Sequence, residues 1–275
     1  MRNYHELLEK IIRFGTDVED RTGVGTRTLF GERLEFGLRH GNFPLLATKK
    51  TNFNNIANEL LWFIRGEDNI NWLKERGTNI WNPWAQESGD VGRIYGVQWR
   101  KWKDHSGVLI DQLGTVIKSL KTNLHGRRHI VSAWNAGDVH LERMALPPCH
   151  VLFQFFGHYE GAEKYLSCQV YQRSCDSFVG LPYNIASYSL LTYMIAHLIG
   201  AKPARLIWVG GDVHVYHNHL MAVQRLLERS PDDYPSPKLR IGGTQDIKTI
   251  DDFKLEHFIL EGYNSAPFIP VEVAI

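Results

Sequence analysis

At positions 185–199 the chain reads IASYSLLTYMIAHLI, a run apolar on nearly every side of a helix that still carries Ser, Tyr, Thr and His. It falls short of the roughly 18 to 20 consecutive apolar residues that a bilayer-spanning helix needs. The run therefore predicts a helix buried at the centre of a globular core, and the rest of the chain must supply the elements that surround it. With 275 residues the chain is long enough to bury a substantial core in one or two domains.

The surrounding elements are partly readable. Tyr4, Leu7, Leu8, Ile11, Ile12 and Phe14 recur at helical spacing and predict an amphipathic helix closed at Gly15. Ile56, Leu60 and Phe63, with Asn52 or Asn55 near the start, predict a second helix, and Ile110, Leu113, Val116, Ile117 and Leu120 a third. Residues 219–229 read as a surface helix. Strands are expected at 130–134, 151–156, 165–171, 206–209 and 258–260, where β-branched and aromatic residues cluster. Loops are expected at 104–107, 158–163 and 230–238. Strands that cluster rather than alternate with helices favour an α+β fold over a doubly wound parallel sheet. No linker or repeat divides the chain, so residues 1–275 are expected to form one domain.

Charge and cysteine usage exclude some roles. Lys and Arg number 31 against 30 Asp and Glu, a net charge of +1, which argues against a surface that coats nucleic acid or an anionic membrane. A local basic site stays open. Three cysteines, Cys149, Cys168 and Cys175, cannot build a disulfide framework and suit a reducing compartment. The start, MRNYHELLEK, has no apolar signal core, and a cytoplasmic protein is expected.

Several short segments carry chemistry. In ALPPCH (145–150), Pro147 and Pro148 fix φ and remove two donors before Cys149, holding the thiol on a restrained turn; it reads as a buried structural cysteine or as a reagent. A Cys-His protease is disfavoured, because His150 is the immediate neighbour on an extended chain and points the other way. In QRSCD (172–176), Arg173 and Ser174 suit a phosphate, or Arg173 and Asp176 merely tie a strand end. DRTGVGT (20–26) is a glycine-bearing turn that exposes Arg21 and lacks the full phosphate-loop pattern. Arg127 and Arg128 precede a strand and read in isolation as solvated surface. In DVHVYHNH (212–219), an extended chain puts His214 and Tyr216 on one face and His217 and His219 on the other, which favours hydrogen bonding over a metal site. Glu59 stands inside the apolar run NELLWFI, where a carboxylate is costly without partners. Asn184 is a helix cap or, with one acceptor and two donor hydrogens, a reader of the N3 and O4 edge of uracil.

Together these segments resemble the thymidylate synthase family. The likeness runs through DRTGVGT (20–26), FPLLATKK (43–50), NELLWFIRG (58–66), YGVQWR (95–100), RRHIVSAWN (127–135), ALPPCH (145–150), QRSCDSFVGLPYNIASYSLLT (172–192), GGDVHVYHNH (210–219) and the terminal VAI (273–275). The resemblance implies an α+β homodimer, with a mixed sheet, flanking helices and one long buried central helix, whose subunits pack sheet to sheet. It implies reductive methylation of deoxyuridylate (dUMP) to thymidylate, with 5,10-methylenetetrahydrofolate as one-carbon and hydride donor and no metal. Cys149 would add to C6, Arg173 would favour its thiolate, Tyr95 would take the C5 proton, and Glu59, with His150, Asp176 and Asn184, would manage the remaining protons. The nucleotide would be held by Arg21, Gln172, Arg173, Ser174, Asp176, Asn184, His214 and Tyr216, with Arg127 and Arg128 reaching in from the other subunit. Folate would meet Lys49, Ile80, Trp81, Asp176, Gly180, Tyr183 and Ala274. Four positions depart from the family pattern, Val24, Ala47, Asn82 and Arg93, of which Asn82 and Arg93 are expected near the folate. Related pyrimidine nucleotide hydroxymethylases, in which water replaces hydride, are the alternative activity, and a non-catalytic RNA-binding regulator is a remote one; RNA binding beside catalysis stays open.

Overall fold

The computed structural model describes residues 1–139 and 144–274. In chain order the elements are α1 (Arg2–Phe14), β1 (Thr16–Val18), β2 (Thr26–Gly37), α2 (Phe53–Arg65), α3 (Asn71–Lys74), α4 (Tyr95–Arg100), β3 (Trp102–Lys103), β4 (Leu109–Ile110), α5 (Gln112–Thr122), β5 (Ile130–Ser132), β6 (His150–Glu160), β7 (Glu163–Asp176), α6 (Gly180–Ile199), β8 (Lys202–Tyr216), α7 (Leu220–Leu227), β9 (Lys238–Ile241) and β10 (Phe258–Glu261). Six strands form one sheet in the order β1-β2-β8-β7-β6-β5, while β3 with β4 and β9 with β10 form separate two-stranded pairs. The fold is α+β with a mixed sheet: β7 and β8 run parallel, and the other neighbours in the large sheet are antiparallel.

Parallel neighbours cannot be joined by a hairpin, and α6 is the crossover between them. It packs on β7 and β8 from one side and meets α2 and α5 on the other, which is why its surface is apolar all round. Three of its polar residues are satisfied without solvent. Ser189 donates to the Ile185 carbonyl at 2.7 Å, Thr192 to the Tyr188 carbonyl at 2.7 Å, and Tyr193 to the Leu38 carbonyl at 2.8 Å. The helix starts at Gly180, earlier than the apolar run suggests, and Asp176 Oδ1 accepts from the Phe178 and Val179 amides at 2.9 and 3.0 Å just before it. Asn184 lies inside the helix, so the capping alternative does not apply to it.

Other expectations shift by local physics. Phe14 ends α1 63 % exposed, although Tyr4, Leu7, Leu8 and Ile11 are buried as their spacing predicts. Asn52 caps α2 by accepting from the Asn55 amide, and Asp111 caps α5 from the Gly114 amide, which leaves Ile110 in β4. The expected loop at 158–163 is mostly strand, with β6 running to Glu160 and β7 starting at Glu163. His219 is wholly buried in a 3-10 turn rather than on a surface helix, and α7 starts after it. Several elements carry no clear sequence signal, β2 and α4 among them. In α4, Gly96 lies against α2 so closely that a Cβ there would stand 2.3 Å from the Phe63 carbonyl oxygen.

Helix α6 covers one face of the sheet. On the other, the register aligns Leu152, Tyr171 and Val209, all half-buried, and places Phe156, 55 % exposed, four residues further along β6 opposite Ser167. No helix among the described residues is long and apolar enough to cross a membrane.

Candidate active site

At the carboxyl ends of β7 and β8 a cleft of about 560 Å³ gathers residues from β1 to the chain's end. Cys149, Glu59, Tyr95, His150, Arg173, Asp176, Asn184, Arg21, Gln172, Ser174, His214, Tyr216, Ile80, Trp81, Gly180 and Ala274 all line it. Lys49, Tyr183, Arg127 and Arg128 do not line it.

Cys149 sits one residue before β6, and its carbonyl accepts from the Arg173 amide at 2.8 Å. Pro147 and Pro148 contribute no N–H, but their carbonyls accept from Arg173 Nη2 at 2.8 Å and Nε at 3.0 Å. The proline turn thereby aims a guanidinium at the thiol, with Nη2 4.0 Å from Cys149 Sγ. The Tyr95 hydroxyl accepts from the Cys149 amide at 2.8 Å, and the Tyr95 ring stacks on His150 at 4.2 Å. Burial pushes the Cys149 thiol above its ordinary value, and Arg173, the Tyr95 hydroxyl and Arg21, which pull it down, do not offset that. Arg173 by itself pulls the thiol toward its thiolate, and the same guanidinium is also engaged with two carbonyls.

A chain of hydrogen bonds runs across the cleft floor. The Trp208 indole donates to Gln172 Oε1 at 2.9 Å, and Gln172 Nε2 donates to the Ser174 carbonyl at 3.1 Å and to Asn184 Oδ1 at 3.0 Å. Asn184 Nδ2 meets His150 Nε2 at 3.2 Å, and His150 Nδ1 meets the Tyr188 hydroxyl at 3.0 Å. Burial holds the His150 pKa down to about 3, so the ring is neutral. Glu59, on the face of α2 that meets the cleft, accepts from the Trp81 indole at 2.8 Å. Burial raises its pKa to about 7, with the Trp81 bond opposing.

Three chemistries line the cleft. Arg21, Arg173 and Ser174 suit an oxyanion, and Arg21 is displayed by a turn in which Asp20 accepts from the Gly25 amide at 2.9 Å and the Thr22 amide at 3.2 Å. His214 and Tyr216 share a strand face and meet edge to face at 5.1 Å, as alternation requires. Asp212, two residues earlier, orients His214 through Nδ1 at 2.7 Å; the same alternation could have flagged it. The third chemistry is an apolar wall of Ile80, Trp81, Trp84 and Val179, with Val273 and Ala274 of the chain end; Ile275 lies outside the described residues. Trp84 carries a buried indole nitrogen without a partner among the described residues, a donor that a planar polar ligand could use.

The outliers have structural reasons. Lys49 is buried, its ammonium donating to the Phe178 carbonyl at 2.6 Å and lying 3.8 Å from that ring's centroid, and burial lowers its pKa to about 8. Reaching a glutamyl tail would require leaving both contacts. Tyr183 is half-buried outside the lining. Arg127 and Arg128 are exposed just before β5, at the sheet edge far from β1 in strand order. None of Val24, Ala47, Asn82 and Arg93 lines the cleft. Arg93, expected beside the folate, instead pairs with Asp138 at 3.0 Å and donates to the Lys101 carbonyl at 2.8 Å. His217 and His219 are not extended; they face Asp17 at 3.0 Å and the Glu272 carbonyl at 2.7 Å. Among the described residues no group of three His, Cys, Asp or Glu side chains could hold a metal ion.

In comparison with known proteins, a family model described as thymidylate synthase matches residues 2–275.

Proposed function

The chain belongs to the thymidylate synthase family, and from that premise we propose that it converts deoxyuridylate to thymidylate by reductive methylation. The observation that carries this reading is a cleft in which a thiol, two guanidiniums with a hydroxyl, and an oriented amide stand together. Cys149, as thiolate, adds to C6 of the pyrimidine, and the C5–C6 electron pair moves toward C5 and O4, making C5 a nucleophile. Arg21, Arg173 and Ser174 hold the phosphate, and Gln172 and Asp176 support the nucleotide beside them. His214 and Tyr216 take the deoxyribose hydroxyl, and Asn184 reads the pyrimidine edge. Glu59, with a pKa of about 7, can give and take a proton at neutral pH near O4, aided by His150 and Asn184. Tyr95 is assigned the C5 proton.

5,10-Methylenetetrahydrofolate, as second substrate, supplies the carbon and the hydride and leaves as dihydrofolate. Ile80, Trp81, Gly180 and Ala274 offer it the apolar wall, joined by Trp84, while Tyr183 and Lys49, assigned to it as well, do not line the cleft. Closure of the chain end over the cleft excludes water, so that the exocyclic methylene on C5 receives hydride. Cys149 is then expelled and the C5–C6 double bond returns. The half-apolar open face of the sheet supports a sheet-to-sheet homodimer, in which the exposed Arg127 and Arg128 reach the partner's phosphate.

The test is to incubate pure protein with both substrates, follow dihydrofolate absorbance and weigh the nucleotide product. Equal yields of thymidylate and dihydrofolate are expected, and a hydroxymethyl nucleotide without dihydrofolate would overturn the reading. Cys149→Ala should abolish turnover while retaining nucleotide binding.

A further inference from the structure

We propose that Trp208 is a specificity-determining positioning residue, whose buried indole N–H fixes, through Gln172, the Asn184 amide in the orientation that accepts a uracil edge and rejects a cytosine edge. The inference rests on the nucleotide assignment made above and adds the origin of its base preference. Trp208 does not line the cleft and is wholly buried in β8, so nothing at the site's surface reveals it.

The argument is one of donors and acceptors. An amide side chain can be turned over with little change of shape, so a lone Asn offers either edge equally. An indole nitrogen can only donate, and a backbone carbonyl can only accept. Gln172 lies between one of each: its Oε1 receives the Trp208 N–H at 2.9 Å and its Nε2 faces the Ser174 carbonyl at 3.1 Å. Turning Gln172 over would set N–H against N–H and oxygen against oxygen in a site where Gln172 is 3 % exposed. Its orientation is therefore fixed, and Nε2 must donate to Asn184 at 3.0 Å, which makes the Asn184 atom there the oxygen.

The polarity then passes outward. Asn184 Nδ2 faces His150 Nε2 at 3.2 Å and donates to it, so His150 carries its proton on Nδ1, directed at the Tyr188 hydroxyl at 3.0 Å. Asn184 keeps one free lone pair on Oδ1 and one free hydrogen on Nδ2. Uracil presents an N3–H donor beside the O4 acceptor and matches that edge, whereas cytosine presents an N3 acceptor beside an N4 donor and opposes it at both atoms. Accommodating cytosine would require turning Asn184 over, which sets its NH₂ against the NH₂ of Gln172, which Trp208 in turn holds in place.

The test replaces Trp208 by Phe, which keeps a buried ring and removes the donor. Binding of deoxyuridylate, deoxycytidylate and deoxyribose 5-phosphate is measured for wild type and Trp208→Phe by calorimetry. The expected result is a fall of about tenfold in the preference for deoxyuridylate over deoxycytidylate, with deoxyribose 5-phosphate affinity unchanged. A preference unaltered within about twofold, or a parallel loss for all three ligands, would overturn the assignment and leave the proposed function standing. Wild type that binds neither nucleotide would overturn the proposed function and this assignment with it. Should Trp208→Phe not fold, ¹⁵N histidine spectra of wild type decide the matter. The signals that vanish in His150→Gln must belong to an Nδ1–H tautomer, and an Nε2–H tautomer overturns the relay.

Discussion

Glu59 sits in an apolar helix face with one indole donor, and its burial decides its acidity. A carboxyl whose pKa is 4.5 unfolded and about 7 folded binds more protons in the folded state between those values. Its contribution to stability is present below pH 4.5 and is lost as pH rises toward 7. Glu59→Gln removes that titration. Relative to the variant, wild type should lose on the order of 3 kcal/mol across the window, read from urea unfolding at each pH; a constant difference would show that the carboxyl titrates normally. The comparison with the variant is needed because His150, held neutral, works in the opposite sense as pH falls below its ordinary range. Residues of this kind were legible in the sequence where chemistry and neighbours coincide, as at Cys149 after two prolines or Glu59 among apolar residues. Lys49 was not, because the carbonyl and ring that hold it belong to Phe178, distant in sequence and brought near only by the fold. Trp208 looked like any strand aromatic, since its role depends on which atom of Gln172 it faces.

At the scale of elements, α6 announced itself by composition, while β2 and α4 stayed hidden for different reasons. In β2, the buried Leu34 and Phe36 alternate with Arg33 and Glu35 over too short a run to signal a strand, and its first half carries little apolar contrast. Helix α4 is only one to two turns long and contains a glycine, so periodicity has nothing to act on. That glycine is where α2 and α4 touch. Gly96→Ala would put a methyl 2.3 Å from the Phe63 carbonyl oxygen and 2.5 Å from its Cα, atoms of a helix backbone that cannot step aside alone. We expect a loss of about 3 kcal/mol in thermal or urea unfolding, with reduced turnover because Tyr95 is the preceding residue. A melting curve that superimposes on wild type would mean that the two helices do not meet this closely in solution.

For the whole molecule, the cleft draws residues from Val18 to Ala274, almost the full length of the chain. The exposed Arg127 and Arg128 raise the question of whether one chain suffices. If each site borrows them from a partner, a protein with Arg127→Ala and Arg128→Ala and a protein with Cys149→Ala are each inactive, yet unfolding and refolding them together restores roughly a quarter of the sites by random pairing. Steady-state turnover of the refolded mixture reads this directly, and no recovery would show that the arginines are not donated from one subunit to the other. The α+β class was legible from the clustering of strands, but the parallel β7–β8 pair was not, because pairing partners are set by topology rather than by local pattern.

The pairing of β2 with β8 joins Thr26 to Tyr216 across most of the chain. During synthesis at about 5 to 20 residues per second, β2 leaves the ribosome on the order of ten to forty seconds before its neighbour exists. For that interval only its first residues have a partner, in the short β1, and the edge that β8 will cover keeps open backbone groups, the kind of edge that recruits other chains. Arg27, Glu32, Arg33 and Glu35 are spaced along it, and a strand interrupted so often by charge is a poor template for aggregation. The charges that conceal β2 from a reader of hydrophobic patterns also conceal it from other nascent chains.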